Sequence, residues 1–231
     1  MEPYQYMPWC WMCELKDYKR MFALTPEDLT LNIIDCAAGP STFNAELTAQ
    51  GGRVVSCDAL YAMVFEKVQM ETQELIETLL KRVQEKQEEF SWDSVSSLEE
   101  LRKTYEAAAR LFFDDFKKDK KHQRYYAESL PQFTFKDYQF DLALCAHFLF
   151  DRTIHPEENF IVNSIKEMCR VAREARIYPL LDAKGEITKE VGPVMMQLQM
   201  AGYGVEIKEV DYGVEKKANA MLRVWPNVCE V

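Results

Sequence analysis

The stretch Leu31-Asn-Ile-Ile-Asp-Cys-Ala-Ala-Gly-Pro-Ser-Thr-Phe43, with Arg53-Val-Val-Ser-Cys-Asp58 behind it, narrows the possible folds more than any other part of the chain. An apolar run of strand length ends at Asp35, and a turn of small residues follows with Gly39 at its centre. Pro40 suits the first position of a helix, where its missing N–H costs nothing. Residues 41–50 read as that helix, and Gly51-Gly52 ends it. A second short apolar run closes on a carboxylate, Asp58. Strand, small-residue turn, helix, strand, acid is the layout of a nucleotide-binding βαβ unit in a parallel sheet.

The residues inside the turn decide which nucleotide such a unit takes. A pyrophosphate needs three glycines so that backbone N–H groups can close on it. In that register the positions here are Ala37, Gly39 and Thr42, and Pro40 removes a further N–H. The turn is therefore a poor phosphate cradle, though narrow enough for a ligand to lie against the backbone. A ribose without a phosphate fits better. Asp58 would accept both ribose hydroxyls, and hydrogen bonds to a charged acceptor contribute roughly 1.5–3 kcal/mol. S-adenosylmethionine is such a ligand. Its sulfonium cation suits an acidic chain, and here 28 Lys and Arg stand against 38 Asp and Glu, a formal charge of −10.

The same residues resemble a known family. Over roughly residues 17–225 the chain is similar to class I S-adenosylmethionine-dependent methyltransferases. Within them it resembles a group of small bacterial proteins that carry an Asp-Cys-Ala-Ala-Gly-Pro-Ser turn. Phe140-Asp-Leu-Ala-Leu-Cys-Ala-His-Phe-Leu-Phe150 is similar to that group's strand-four motif. The usual first glycine of the family turn is Ala37 here, the third is Ser41, and the acid often found after strand three is Tyr126. The resemblance implies an α/β fold with a Rossmann-like, mostly parallel seven-stranded sheet and an antiparallel last strand. It implies that Asp35, Ala37, Gly39, Pro40, Asp58, Ala59 and Leu60 surround the cofactor. Ala127, Glu128 and Ser129 would meet the adenine, and Cys145 and Ala146 would close the site from strand four. Tyr18, on an expected helix over residues 14–24, is the candidate to reach the methionine carboxylate; a packing tyrosine is the alternative.

A bare doubly wound domain would place one helix after Asp58 and return to the sheet. Residues 62–124 are instead long and highly charged. Val68, Leu75, Ile76, Leu79, Leu80 and Val83 recur at helical spacing, and Phe90-Ser-Trp92 breaks the pattern. Ser97-Leu-Glu-Glu100 is a capping box that starts a second helix, with Leu101, Tyr105, Ala108, Phe112 and Phe116 as its stripe. These read as a helical hairpin inserted between strands two and three of a single domain of 231 residues. The hairpin is either a layer over one sheet face or a cap that selects substrate or forms a homodimer. Its Lys117-Lys-Asp-Lys-Lys-His122 run reads as a solvated turn.

Beyond it, residues 125–129 suggest a weak strand and 140–146 a buried one. A helix begins at His155-Pro-Glu-Glu158 and continues through Ile161, Ile165, Met168, Cys169 and Ala172. A strand over 175–181 ends or bulges near Tyr178, because Pro179 removes a ladder bond. A last helix covers 190–201. Strands over 204–210 and 220–225 have no crossover helix between them, which makes the final pair antiparallel.

In parallel sheets, ligands sit outside the carboxyl ends of the strands. His147 alone among three histidines holds such a position. It is the first candidate for a base if the acceptor is a hydroxyl or a protonated amine, and Asp151 is the second. A core histidine is the alternative, and a thiolate or carboxylate acceptor needs no base. The aromatic N-terminus, with Tyr4, Tyr6, Trp9 and Trp11, either packs on the core or forms a flap over the site. Cys10-Trp-Met-Cys13 is a lone pair where a zinc site needs about four ligands, so no metal is expected. Cys36, Cys57 and Cys145, at predicted strand ends, read as small buried side chains with no base to activate them.

These readings favour a methyltransferase that transfers the methyl group in line to a small-molecule acceptor. Two alternatives stand beside it: an S-adenosylmethionine-binding protein without catalysis, and a nicotinamide-dependent oxidoreductase. The acidic balance argues against a duplex nucleic-acid substrate. No apolar run reaches about 18 residues, so no membrane span is expected. The N-terminus lacks a secretory pattern, and an odd count of seven cysteines points to a reducing cytoplasm.

Overall fold

Ile33 and Ile34 point to opposite faces of one strand, and both are fully buried. That strand, β1 (Asn32–Cys36), sits at the centre of the sheet, parallel to β2 (Arg53–Cys57) on one side and β4 (Phe140–Ala146) on the other. An inner parallel strand is covered on both faces, which is why Ile33 and Ile34 stand side by side instead of alternating with polar residues. The computed structural model describes residues 12–85, 87, 96–119, 123–150, 156–180, 186–212 and 220–227. It adds β3 (Tyr125–Tyr126), β5 (Ala172–Tyr178), β6 (Tyr203–Glu209) and β7 (Ala220–Pro226). The seven strands lie in the order β3-β2-β1-β4-β5-β7-β6. β1 to β5 are mutually parallel, and β7 runs antiparallel to both of its neighbours. The expected α/β sheet, mostly parallel and closed by an antiparallel strand, is therefore present.

Two apolar layers cover this sheet, set by the two-residue period of its strands. Ile33, Leu142 and Leu144 meet α1 (Leu15–Met21) and α2 (Phe43–Ala49) through Tyr18, Phe43 and Leu47. Ile34, Ala143 and Ile177 meet α5 (Glu158–Val171) and α6 (Val191–Met200) through Ile165, Met168 and Val194. Full burial of each large aliphatic side chain contributes about 1.5–3 kcal/mol.

Two helices, α3 (Phe65–Glu85) and α4 (Leu98–Lys118), fill the interval between β2 and β3. Their apolar stripes pack on each other, with Ile76 and Leu80 against Ala108 and Ala109. Ser97 caps α4, its Oγ accepting the Glu100 N–H at 3.1 Å. The reciprocal half is displaced by one residue: the Glu100 carboxylate accepts from the N–H and Oγ of Ser96 at 2.7 and 2.6 Å. Asp115 fixes α4 to the sheet edge. It accepts two hydrogen bonds of 2.8 Å from the Arg124 guanidinium and one of 2.7 Å from the Tyr125 hydroxyl. Phe90-Ser-Trp92 and residues 120–122 lie outside the described residues, as does the aromatic segment 1–11.

Three boundaries differ from the sequence reading. Pro40 is not in a helix; α2 begins at Phe43. The Thr42 N–H donates to the Cys13 carbonyl and the Phe43 N–H to Ser41 Oγ, which keeps residues 40–42 in the turn. Ala172 opens β5, opposite Phe140, instead of closing α5, and β5 ends at Tyr178. The weak strand over 125–129 shrinks to Tyr125–Tyr126. Among the described residues, no helix is long and apolar enough to cross a membrane.

The order of the strands leaves one topological switch point beside β1. From β1 the chain moves outward through β2 and β3, then returns to β4 on the other side of β1. The carboxyl ends of β1 and β4 thus flank a topological switch point, where open α/β sheets leave a crevice.

Candidate functional site

At the end of β1 the backbone turns sharply: Ala37 and Gly39 both have φ of 54°. Glycine takes that conformation freely, whereas alanine is strained there by roughly 1–2 kcal/mol. The turn is bound to the end of β2. The Ala38 N–H donates to the Cys57 carbonyl at 3.2 Å. The Gly39 N–H donates to Asp58 Oδ2 at 2.9 Å, and the Leu60 N–H to Asp58 Oδ1 at 2.8 Å. The Tyr61 hydroxyl donates to the Gly39 carbonyl at 2.7 Å. Asp58 is 7% exposed. Each of its oxygens accepts one of these N–H groups.

Beneath the turn, Asp35 is completely buried. The Tyr18 hydroxyl lies 3.0 and 3.1 Å from its two oxygens, and the Tyr18 ring stacks on Phe43 at 4.1 Å between centroids. Tyr18 therefore faces inward, as a partner of Asp35. Burial drives the Asp35 carboxyl well above the usual carboxylate range; the Tyr18 hydrogen bond opposes that rise, and the nearby charge of Asp58 adds to it. Burial therefore disfavours a second negative charge beneath the turn.

Across the switch point, His147 follows β4 with φ of 53°. Its N–H donates to the Tyr178 carbonyl at 2.6 Å, and its ring meets the Tyr178 ring edge-on at 5.3 Å. The residue is 8% exposed, and its Nε2 is enclosed without a hydrogen-bond partner. A buried polar atom left unpaired costs about 1–3 kcal/mol. Among the described residues, two other side-chain atoms share this condition: Ser164 Oγ within α5, and Thr188 Oγ1 in the segment after β5. His147 is the one placed at the carboxyl end of a central strand.

Cys145 and Ala146 are buried at the end of β4. Cys36 is paired in register with Cys57, and Cys145 lies one position past Leu144, the partner of Asp35. Burial pushes all three thiols up, which suits packing rather than nucleophilic attack. Ala59 is half-buried, while Pro40 and Leu60 are buried. Ala127 and Ser129 are exposed beyond β3. Glu128 is engaged by Thr134, accepting from its N–H at 2.7 Å and its Oγ1 at 2.5 Å. Asp151 lies outside the described residues. No group of three His, Cys, Asp or Glu among the described residues could hold a metal ion. Sequence reasoning passed over Tyr61, whose only signal is its place three residues after Asp58.

No family model matches the chain. It is 29% identical over 209 residues to the uncharacterized protein MJ0045 of Methanocaldococcus jannaschii, a match that covers 89% of this chain and 90% of that protein. Among solved structures it aligns with the magnesium protoporphyrin IX methyltransferase of Synechocystis PCC 6803 with bound SAM. That alignment has a TM-score of 0.45 at 12% identity, over 87% of this chain and 72% of the other. It also aligns with a SAM-dependent methyltransferase from Methanosarcina mazei, with a TM-score of 0.43 at 16% identity, over 88% of this chain and 98% of that one. Likeness at this level is one of outline.

Proposed function

We propose that the chain is an S-adenosylmethionine-dependent methyltransferase acting on a small molecule with a hydroxyl or amine acceptor. One observation carries this reading: the turn after β1 spends its amides on the protein itself. Gly39 gives its N–H to Asp58, Ala38 gives its own to Cys57, and Pro40 has none. A pyrophosphate would have to displace the Asp58 carboxylate, with which it shares a charge sign. A phosphate-free nucleoside meets no such conflict, which disfavours the nicotinamide alternative. Asp58, at the end of β2, would hold the ribose diol.

Bound S-adenosylmethionine would supply an already activated methyl group on a cationic sulfur. The chain's own work is then to align the acceptor and exclude water. Asp58 orients the ribose and contributes a negative charge that favours a cation. Asp35 holds the floor of the turn through Tyr18. The unpartnered Nε2 of His147 accepts the proton of the acceptor's O–H or N–H as the new bond forms.

Two measurements test the reading. Calorimetry should find S-adenosylhomocysteine binding while NAD gives no heat; the reverse result ends it. Turnover assays over candidate hydroxyl and amine acceptors should yield S-adenosylhomocysteine. His147→Ala should remove that turnover and leave cofactor affinity within about twofold, because general acid–base groups act on the chemical step by about 10²–10⁴-fold. Binding without turnover on any acceptor would favour a carrier of the cofactor over an enzyme.

A further inference from the structure

We infer that Tyr61 is a positioning residue through which the inserted helical hairpin sets the conformation of the cofactor turn; this rests on the cofactor reading above. Gly39 is gripped on both sides of its Cα by one short segment. Asp58 accepts its N–H at 2.9 Å, and Tyr61, three residues on in the 3-10 turn Ala59–Ala62, donates to its carbonyl at 2.7 Å. Gly39 is also where the chain takes a φ of 54°, so the two peptide planes that flank it decide where the turn's backbone lies.

Tyr61 does not stand alone. Its ring is 6% exposed and packs at 5.5 Å from Phe116, 6.2 Å from Phe112 and 5.3 Å from Tyr125. Phe112 and Phe116 belong to α4 of the hairpin, and Tyr125 to the edge strand β3. Two kinds of contact therefore meet in one side chain. The ring is held by the insertion, and the hydroxyl holds the turn. A phenylalanine would pack as well, so the tyrosine hydroxyl has no role in the aromatic cluster itself. Removing it leaves the Gly39 carbonyl free to rotate about a glycine, the residue least able to resist.

The test compares the full chain with Tyr61→Phe and with Phe112→Leu. The first removes the hydroxyl and keeps the ring; the second loosens the packing and keeps the hydroxyl. Hydrogen exchange read on peptides covering residues 37–41 should quicken in Tyr61→Phe while the thermal midpoint falls by only about 2–4 °C. S-adenosylhomocysteine affinity should fall by about five- to tenfold, as expected for one buried hydrogen bond. Phe112→Leu should lower the midpoint and quicken exchange at 37–41 as well, to a smaller degree, because the ring loses part of its support while the hydroxyl stays. Unchanged exchange and affinity in Tyr61→Phe overturn the inference, as does a Tyr61→Phe protein whose loss of affinity only tracks a fall in midpoint equal to that of Phe112→Leu. If the wild-type chain binds no S-adenosylhomocysteine, the cofactor reading fails separately, and the exchange comparison still decides whether Tyr61 fixes the turn.

Discussion

The two sides of the switch point are built on opposite terms. On the β1–β2 side, the polar groups of the turn are matched within the chain. Asp58 holds Gly39 and Leu60, Tyr61 holds the Gly39 carbonyl, and Tyr18 holds Asp35. On the β4–β5 side, His147 is anchored by its backbone to Tyr178, but its Nε2 has nothing to bond. A satisfied network makes a rigid frame, which keeps its shape as the cofactor is exchanged at every turnover. An unsatisfied group keeps a hydrogen bond for a partner from outside the chain. The contrast supports giving the first side to the cofactor and the second to the acceptor.

The largest expected effect comes from breaking the satisfied side. Asp58→Ala leaves two buried N–H groups without acceptors, and hydrogen bonds to charged groups contribute roughly 1.5–3 kcal/mol each before coupling. We expect unfolding in urea to show a loss of about 3 kcal/mol. Asp58→Asn keeps one acceptor and should lose about half as much. A stability near wild type in Asp58→Ala would mean that the frame is not held as described.

Asp35 sharpens the same comparison through pH. Its carboxyl is raised in the folded chain, so the native state binds a proton more tightly than the unfolded state does. The slope of stability with pH is then negative from the ordinary aspartate value of about 3.9 upward, and ends where the folded group has titrated. Stability from this residue is fully present below that window and is lost as pH rises through it. Asp35→Asn removes the titration. Urea midpoints taken from pH 5 to pH 9 should therefore show the variant gaining on wild type as pH rises. A wild-type curve that climbs with pH as steeply as the variant's would show that Asp35 is ionised in the fold.

Ser164 serves as a control for His147. Both carry a buried atom without a partner, but Ser164 sits inside α5, away from any strand end. Ser164→Ala removes an unsatisfied hydroxyl and improves helix propensity, a gain of about 1 kcal/mol. Turnover should not change. If Ser164→Ala and His147→Ala altered turnover alike, a missing partner would not distinguish a site from a packing flaw.

How much of this the sequence could reveal follows from how local each feature is. The strand ending in Asp35, the small-residue turn, Asp58 at the end of the next strand and the Ser97 cap are all written in short windows, and all are found in place. Pro40 misled because a proline just after a turn satisfies the helix rule equally well outside the helix. The bonds of Thr42 to Cys13 and of Phe43 to Ser41 decide the matter. The α5–β5 junction has no loop at all: α5 ends at Val171 and β5 begins at Ala172. Met168, Cys169 and Ala172 keep a helical spacing across it, so no local signal marks the change. The inward turn of Tyr18 and the hold of Tyr61 on Gly39 join residues 17 and 22 positions apart, and no local pattern encodes such pairs.

The smallest expected effect tests the frame at its one strained point. Ala37 holds a φ of 54°, in a conformation that its Cβ opposes. Glycine would relieve about 1–2 kcal/mol of that opposition, and its greater freedom in the unfolded chain would return about 0.5–1 kcal/mol. The difference favours Ala37→Gly by about 0.5–1 kcal/mol, which in a chain of this length raises the thermal midpoint by about 2 °C. A lower midpoint in Ala37→Gly would mean that the alanine methyl makes contacts worth more than the strain it carries. The frame would then be stabilised by packing at this position as well as by the hydrogen bonds of Asp58 and Tyr61.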